Sequence, residues 1–175
     1  MNFQEMEMNG IQDLVLIGEI ALQSKIARRA VARLLATHDS LDRLEVWSSI
    51  QSILCATANV SKILWPTGNY QARGERLRKI LNVGDDHLLK SRKFRNYFEH
   101  YDEQVDEWFR TQPSAVYTDL SMNPGLRGPF ARQDHRGYNS FNNTVVFRGE
   151  ELDLNEILKA LDEIVIRCNP YTLRY

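Results

Sequence analysis

Apolar residues recur every third or fourth position at Ile11, Leu14, Val15, Leu22, Ile26, Ala30 and Leu34. That is the spacing of one helix face, and it predicts a long amphipathic helix over about 10–37. The polar cluster Thr37-His38-Asp39-Ser40 ends this helix and offers capping side chains to the next one. The second helix has the seam Leu44, Trp47, Ile50, Leu54, Ala58 and Ile63. It must stop at Trp65-Pro66, because proline lacks an N–H donor and crowds the preceding turn. A turn at Thr67-Gly68-Asn69 leads into a shorter helix with Leu77, Ile80 and Leu81 facing inward. Val83-Gly84 interrupts it, and Asp85 or Asp86 can cap a fourth helix with the seam Phe94, Tyr97, Phe98, Tyr101, Val105, Trp108 and Phe109, the most strongly periodic segment of the chain.

Beyond Gln112-Pro113 the period changes. Val116, Thr118, Leu120 and Met122 alternate with Tyr117, Asp119 and Ser121, as in a half-buried strand, and Thr144-Val145-Val146-Phe147 reads as a second strand. Proline and glycine make the stretch between them, through Gly137, an irregular long loop. Asp153 and Glu156 have capping-box spacing ahead of Leu154, Ile157, Leu158, Leu161, Ile164 and Val165, which predicts a terminal helix. The expected fold is mainly α: an antiparallel bundle of about five helices with a small two-stranded β accessory before the last helix. One domain spans 1–175. Its helical core covers about 10–111, the accessory and loop about 115–149, and the C-terminal helix about 153–168.

Composition narrows the function classes. With 175 residues, 43% hydrophobic and 26% charged, the chain is an ordinary globular domain and not a disordered or collagen-like one. A net charge of -1 excludes an all-round polycation, so any nucleic-acid site must be a local patch. The opening MNFQEMEMNG lacks the order of a secretory leader. The best apolar run, LVLIGEIAL, holds Glu19 and is too short to span a bilayer, so no membrane contact and a cytoplasmic location are expected. Cys55 and Cys168 fit no metal-ligand or redox spacing and read as two buried thiols.

At about 100° per residue, the fourth helix turns Phe94, Tyr97, Phe98, Tyr101 and Val105 inward. Arg95, Asn96, Glu99 and His100 then share the opposite face. Taken alone, such a face is most simply a solvated one. Its surroundings are basic, however. Gln71 to Arg95 holds eight Lys or Arg (Arg73, Arg76, Arg78, Lys79, Lys90, Arg92, Lys93, Arg95) against the three acids Glu75, Asp85 and Asp86, enough to hold a phosphate backbone over a short footprint.

Arg95-Asn96-Tyr97-Phe98-Glu99-His100 resembles the Arg-polar-x-x-x-His signature of the HEPN (higher eukaryotes and prokaryotes nucleotide-binding) superfamily. The resemblance implies a metal-independent endoribonuclease without a cofactor, of the kind found among toxins, phage-defence and RNA-processing components. It implies RNA as substrate, an antitoxin protein as partner of the toxin members, and a homodimer with two signature helices lining one cleft. Arg95 and His100 are then the catalytic pair and Asn96 and Glu99 their supports, with Arg76, Lys79, Lys90, Arg92 and Lys93 available to RNA. The chemistry suits these groups. The 2'-OH proton must be removed as it attacks phosphorus, the leaving 5'-oxygen protonated, and the transition-state charge stabilised. An imidazole does proton work near neutrality and a guanidinium is a permanent planar cation for phosphate oxygens. Asn96 can orient His100 at i+4 or hold the phosphate, and Glu99 can pair with Arg95. The products are a 2',3'-cyclic phosphate and a 5'-hydroxyl. The tyrosine that one subgroup carries two positions after the histidine is Asp102 here, so regulation through that tyrosine is not expected.

Two other readings stand beside this one. The acidic run Glu99, Asp102, Glu103, Asp106 and Glu107 suits a catalytically silent HEPN-like module for nucleotide, RNA or protein binding. A structural helical adaptor would leave the polar face open to water. No metal is expected, since no second histidine sits at i+4 from His100. His38 and His87 read as surface or capping residues, and His135, with Arg127, Arg132 and Arg136, as part of a solvated loop.

Overall fold

The computed structural model describes residues 10–38, 40, 42–112, 116–123 and 134–172. It is mainly helical, with α1 (Ile11–Ala36), α2 (Arg43–Leu64), α3 (Gln71–Ile80), α4 (Lys93–Glu99), α5 (Tyr101–Thr111) and α6 (Leu154–Cys168). A four-stranded sheet replaces the expected two-stranded accessory: β1 (Ser121–Met122), β2 (Arg136–Asn139), β3 (Thr144–Phe147) and β4 (Glu150–Asp153) lie in that order. β1 runs parallel to β2, and β2-β3-β4 is an antiparallel meander. The strand expected over Val116–Met122 shrinks to its last two residues plus a bridge from Thr118 to Asp134. Arg136 and Gly137, assigned to the loop, belong instead to a strand whose Gly137 and Tyr138 are buried. β3 and β4 are joined by Arg148 and Gly149, both at positive φ (48° and 83°), the geometry of a type I' hairpin turn. Arg127, Arg132 and most of the long loop lie outside the described residues.

α1 and α2 form an antiparallel hairpin with a core at each end. The N-terminal half of α1 meets the C-terminal half of α2, together with α3 and α6, through Ile17, Ile20, Val60, Leu64, Leu77 and Leu161. The other half packs Ala30, Leu34, Trp47, Ile50 and Ile53 beneath Tyr138 and Val145 of the sheet, with Phe94 and Phe98 of α4 against it. Asp42 caps α2, its Oδ1 accepting from the Glu45 amide at 3.1 Å, in place of the Thr37–Ser40 cluster. Asp153 caps α6 as expected, at 2.7 Å from the Asn155 amide. His87 caps a short turn, its Nδ1 accepting from the Leu89 amide at 3.3 Å.

The seam expected for α1 mixes two faces. Ile11, Leu14, Val15, Leu22 and Ile26 are exposed, and the buried line is Asp13, Ile17, Ile20, Ala21, Ser24, Ala27, Ala30 and Leu34. The apolar stripe outside lies about half a turn from the buried line, so periodicity finds both. Small residues on the inner line, Ala27 and Ala30 among them, let α2 pack closely. Leu44 is also exposed, and Cys55 is exposed rather than buried, whereas Cys168 is buried with its thiol pushed up to about 12. No helix among the described residues is long and apolar enough to cross a membrane.

α5 is fastened to the sheet by a clamp on Tyr101. The Tyr101 hydroxyl donates to Asp119 Oδ2 at 2.9 Å and lies 2.6 Å from the Tyr117 hydroxyl. Arg136 grips Asp119 bidentately at 2.9 and 2.6 Å and lays its guanidinium over the Tyr101 ring at 3.9 Å. Burial raises Asp119, but the Arg136 hydrogen bonds and charge, with the Tyr101 hydroxyl, bring it below the usual carboxylate range. Next in the chain, Leu120 holds φ 54°, a costly conformation for a branched side chain, and its carbonyl accepts from Arg43 at 2.8 Å.

Behind the clamp sits His135, wholly buried between Tyr101, Tyr117 and Phe147 at centroid distances of 5.4, 5.5 and 5.0 Å. This corrects the solvated-loop expectation: the aromatic surface of α5 and β3 draws the residue inward. Neither ring nitrogen has a hydrogen-bond partner among the described residues. Burial pushes the imidazole down to about 4, opposed by Asp119 and reinforced by Arg136 and Arg148.

A Cβ on Gly74 would meet the Pro66 ring and lie 2.8 Å from the Leu64 carbonyl, whereas one on Gly18 meets nothing within 4 Å. Gly74→Ala should therefore cost about 1–3 kcal/mol in urea denaturation, and Gly18→Ala should stabilise by about 1 kcal/mol through helix propensity alone. For His135, the unfolded chain binds the proton at about 6.5 and the folded chain only at about 4. Stability should thus fall as pH drops through that window, by up to about 3 kcal/mol. His135→Phe, which keeps the aromatic packing, should remove this component from the pH dependence of the urea midpoint. Identical slopes for the two proteins would show that His135 is not the group responsible.

Candidate functional site

The residues of the Arg-polar-x-x-x-His signature are placed by α4, and α4 is held by aromatics. Phe98 packs on Trp47 at 6.2 Å, and Tyr97 stacks on Phe147 at 4.3 Å with the rings 12° apart. The Tyr97 hydroxyl donates to Glu150 Oε1 at 3.0 Å, and Lys93 pairs with the same carboxylate. With Phe94, Tyr97 and Phe98 turned to the core, the roll of the helix is fixed. Asn96 and Glu99 are exposed as the wheel requires, whereas the Arg95 side chain is only 18% exposed and lines a pocket at the start of α4.

Arg95 Nη1 donates to Asn96 Oδ1 at 3.1 Å, and its Nη2 pairs with Glu99, the i,i+4 partner expected from spacing. Asn96 does not orient His100 with its side chain: its backbone carbonyl accepts from the His100 amide at 2.9 Å, while the side chain serves Arg95.

The single fourth helix of the sequence reading is two helices, with the break at His100 itself. That residue has φ -101° and ψ 41°, and α5 leaves in a new direction from Tyr101. A wheel of 100° per residue therefore holds for Arg95, Asn96 and Glu99 but not across to His100. His100 stands at the junction, exposed, with Nδ1 3.3 Å from Glu103 Oε1. When Nδ1 carries the proton toward Glu103, Nε2 is the free base, the arrangement in which a carboxylate orients a proton-transferring imidazole. Among the described residues no hydrogen bond or ion pair joins Arg95 to His100. The sequence reading counts Glu103 in an acidic run that suits a catalytically silent module, and the structure puts it against the imidazole.

The basic stretch is largely paired within the chain. Arg76 reaches across to α1 and holds the fully buried Asp13 bidentately, 2.9 Å at each contact, and that bond raises its pKa. Arg78 and Lys90 both pair with Asp85 at 3.2 Å, and the Lys90 hydrogen bond leads in holding Asp85 below the usual carboxylate range. Asp85 thus serves cations instead of capping α4. The Lys93 pair raises that ammonium and lowers Glu150. Arg73 lies over the Tyr70 ring at 5.0 Å. Lys79 and Arg92 have no acidic partner among the described residues.

Sequence reasoning misses a pocket of about 130 Å³ beside Arg95. It opens between α2, the start of α4, β4 and α6, with Leu54, Ala58, Leu152 and Ile157 in its wall and Arg92 and Arg95 contributing to its lining. These residues lie as far apart as positions 54 and 157, so only tertiary packing assembles them. Ala58, small and on the inner face of α2, is the one local hint of a space.

Among the described residues no three His, Cys, Asp or Glu side chains gather in a way that would hold a metal ion. What the arrangement offers is an exposed imidazole backed by a carboxylate, a guanidinium prepositioned on the adjacent helix, and a cation-rimmed apolar pocket next to that guanidinium. No protein-family model, no curated protein and no solved structure matches the chain, so the chemistry of the site rests on the residues themselves.

Proposed function

We propose that the chain is a HEPN-type, metal-independent endoribonuclease that acts in the cytoplasm as a homodimer, with Arg95 and His100 as catalytic residues. The observation that carries the reading is the His100–Glu103 contact at the α4–α5 junction, which leaves Nε2 open to solvent-side chemistry. His100 takes the 2'-OH proton and returns one to the departing 5'-oxygen. Arg95, held by Asn96 and Glu99, stabilises the charge on the non-bridging oxygens. Two copies related by a two-fold axis through this junction would place both pairs on one RNA strand. An antitoxin protein belongs to the same reading as a partner of the toxin members.

The pairing of Arg76, Arg78, Lys90 and Lys93 within the chain favours a second reading, a catalytically silent HEPN-like module for nucleotide, RNA or protein binding. The two differ in one test. Purified protein in EDTA is incubated with total RNA and a labelled oligoribonucleotide, and the product ends are identified. The nuclease yields 2',3'-cyclic phosphate and 5'-hydroxyl ends, and His100→Ala and Arg95→Ala each lower the rate at least about a hundredfold. His100 is exposed, and the hydrogen bond and ion pair of Arg95 are to Asn96 and Glu99 of its own helix, so the circular dichroism of the variants should match that of the parent. No cleavage of any RNA by the parent leaves the silent module. Full cleavage by a chain that sediments as a monomer would remove the composite cleft.

A further inference from the structure

We infer that the pocket beside Arg95 is a base subsite that takes one pyrimidine ring of RNA, adjoining the phosphate held by Arg95 and Arg92. The inference rests on the nuclease reading for the place of the scissile phosphate, but the pocket itself stands on geometry.

Three features point the same way. First, size: the volume is about 130 Å³, and an apolar cavity of about 150 Å³ accommodates one benzene-sized ring. A single six-membered ring matches that volume more closely than the two fused rings of a purine. Second, surface: Leu54, Ala58, Leu152 and Ile157 make an apolar wall suited to the faces of a flat heterocycle. Third, charge in the lining of an otherwise apolar pocket: Arg92 has no acidic partner among the described residues, and the one acidic partner of Arg95 is the partly exposed Glu99. An apolar slot for a ring with cations in its lining fits a flat body carrying an anionic substituent, and a pyrimidine nucleotide with a 3'-phosphate has that shape. Because Arg95 belongs both to the pocket and to the proposed catalytic pair, the bound base is the one on the 5' side of the broken bond.

The test uses the full chain with methyl-labelled Leu and Ile residues and two probes, cytidine 3'-monophosphate and adenosine 3'-monophosphate. In parallel, chimeric oligodeoxynucleotides with a single ribonucleotide, C, U, A or G, are assayed for cleavage. Cytidine 3'-monophosphate should shift the Leu54, Leu152 and Ile157 methyl signals at a concentration at least about tenfold below that needed for the adenosine compound, and C or U substrates should be cleaved at least about tenfold faster. Ala58→Leu fills the slot and should abolish the preference. Should it unfold the chain, Leu88→Trp, from a half-exposed lining position, does the same at the edge. Arg92→Gln should weaken both nucleotides to a similar extent, as loss of a phosphate contact does.

The two readings fail separately. Methyl shifts selective for cytidine without any RNA cleavage keep the subsite and remove the nuclease. Cleavage with no base preference and silent methyls overturns the subsite and keeps the nuclease. Equal shifts with both nucleotides overturn the single-ring assignment.

Discussion

The geometry of the candidate site depends on how Tyr101 is gripped. Its ring lies under the Arg136 guanidinium and its hydroxyl reaches Asp119, while Arg136 and Asp119 hold each other through two hydrogen bonds. Tyr101 follows His100 directly, so whatever fixes the ring fixes the backbone at the break between α4 and α5. On the other side of the break, Tyr97 is stacked on Phe147 of the same sheet. The junction is thus anchored from both helices to neighbouring strands, β2 through Arg136 and β3 through Phe147. His100 projects from the point between two anchors, and its direction is set by packing rather than by the helix it terminates. Bidentate arginine pairs give this kind of geometric specificity because the guanidinium fork admits one orientation.

The same clamp explains why the sheet matters to a helical protein. Asp119 precedes β1 and Arg136 opens β2, with a long connection between them. Their pairing registers those strands and brings His135 under α5. The arrangement holds a Leu120 backbone in the left-handed region and a histidine ring whose nitrogens have no hydrogen-bond partner among the described residues, both of which cost free energy. Such costs persist where the surroundings over-determine the structure, and here the surroundings are the aromatic layer Tyr97, Phe98, Tyr101, Tyr117 and Phe147.

Much of the helical part was legible because its signal is local. Trp47, Ile50, Leu54 and Ala58 repeat at helical spacing and are buried, as are Leu77 and Ile80. α1 was legible as a helix but not in its facing, since an apolar stripe from Ile11 to Ile26 lies opposite the buried line. The break at His100 was illegible: Tyr97, Tyr101 and Val105 keep the i+4 rhythm straight through it, and no proline or glycine marks it. β4 was missed because Glu150-Glu151-Leu152-Asp153 is an exposed edge strand without the apolar alternation of a half-buried one. At the site, the Arg95–Glu99 pair was readable from its i,i+4 spacing. The pocket, the Tyr101 clamp and the Asp13–Arg76 pair join residues far apart in sequence, and periodicity carries no information about them.

Which of the cations can serve an anionic ligand is decided by the burial of the acid each one already holds. The Asp13 side chain is 0% exposed, so withdrawing Arg76 would leave a desolvated carboxylate without its bidentate partner, a loss of several kcal/mol. Arg76 is therefore structural, although its neighbours in sequence suggest a phosphate contact. The partners of Lys90, Lys93 and Arg95 are different: Asp85, Glu150 and Glu99 are 69%, 45% and 39% exposed. Ion pairs that water reaches so freely contribute about 0–1 kcal/mol each, and water resolvates the released carboxylate. An anion arriving at residues 90–95 could therefore displace these acids at little cost. On the proposed nuclease reading, the acidic residues of this segment would act as local placeholders, since Glu99 contacts Arg95 and Glu103 contacts His100. The cations whose acids are water-accessible are thus those of residues 90–95, beside one pocket; on the proposed nuclease reading they would serve a footprint of one or two nucleotides rather than a track along a strand.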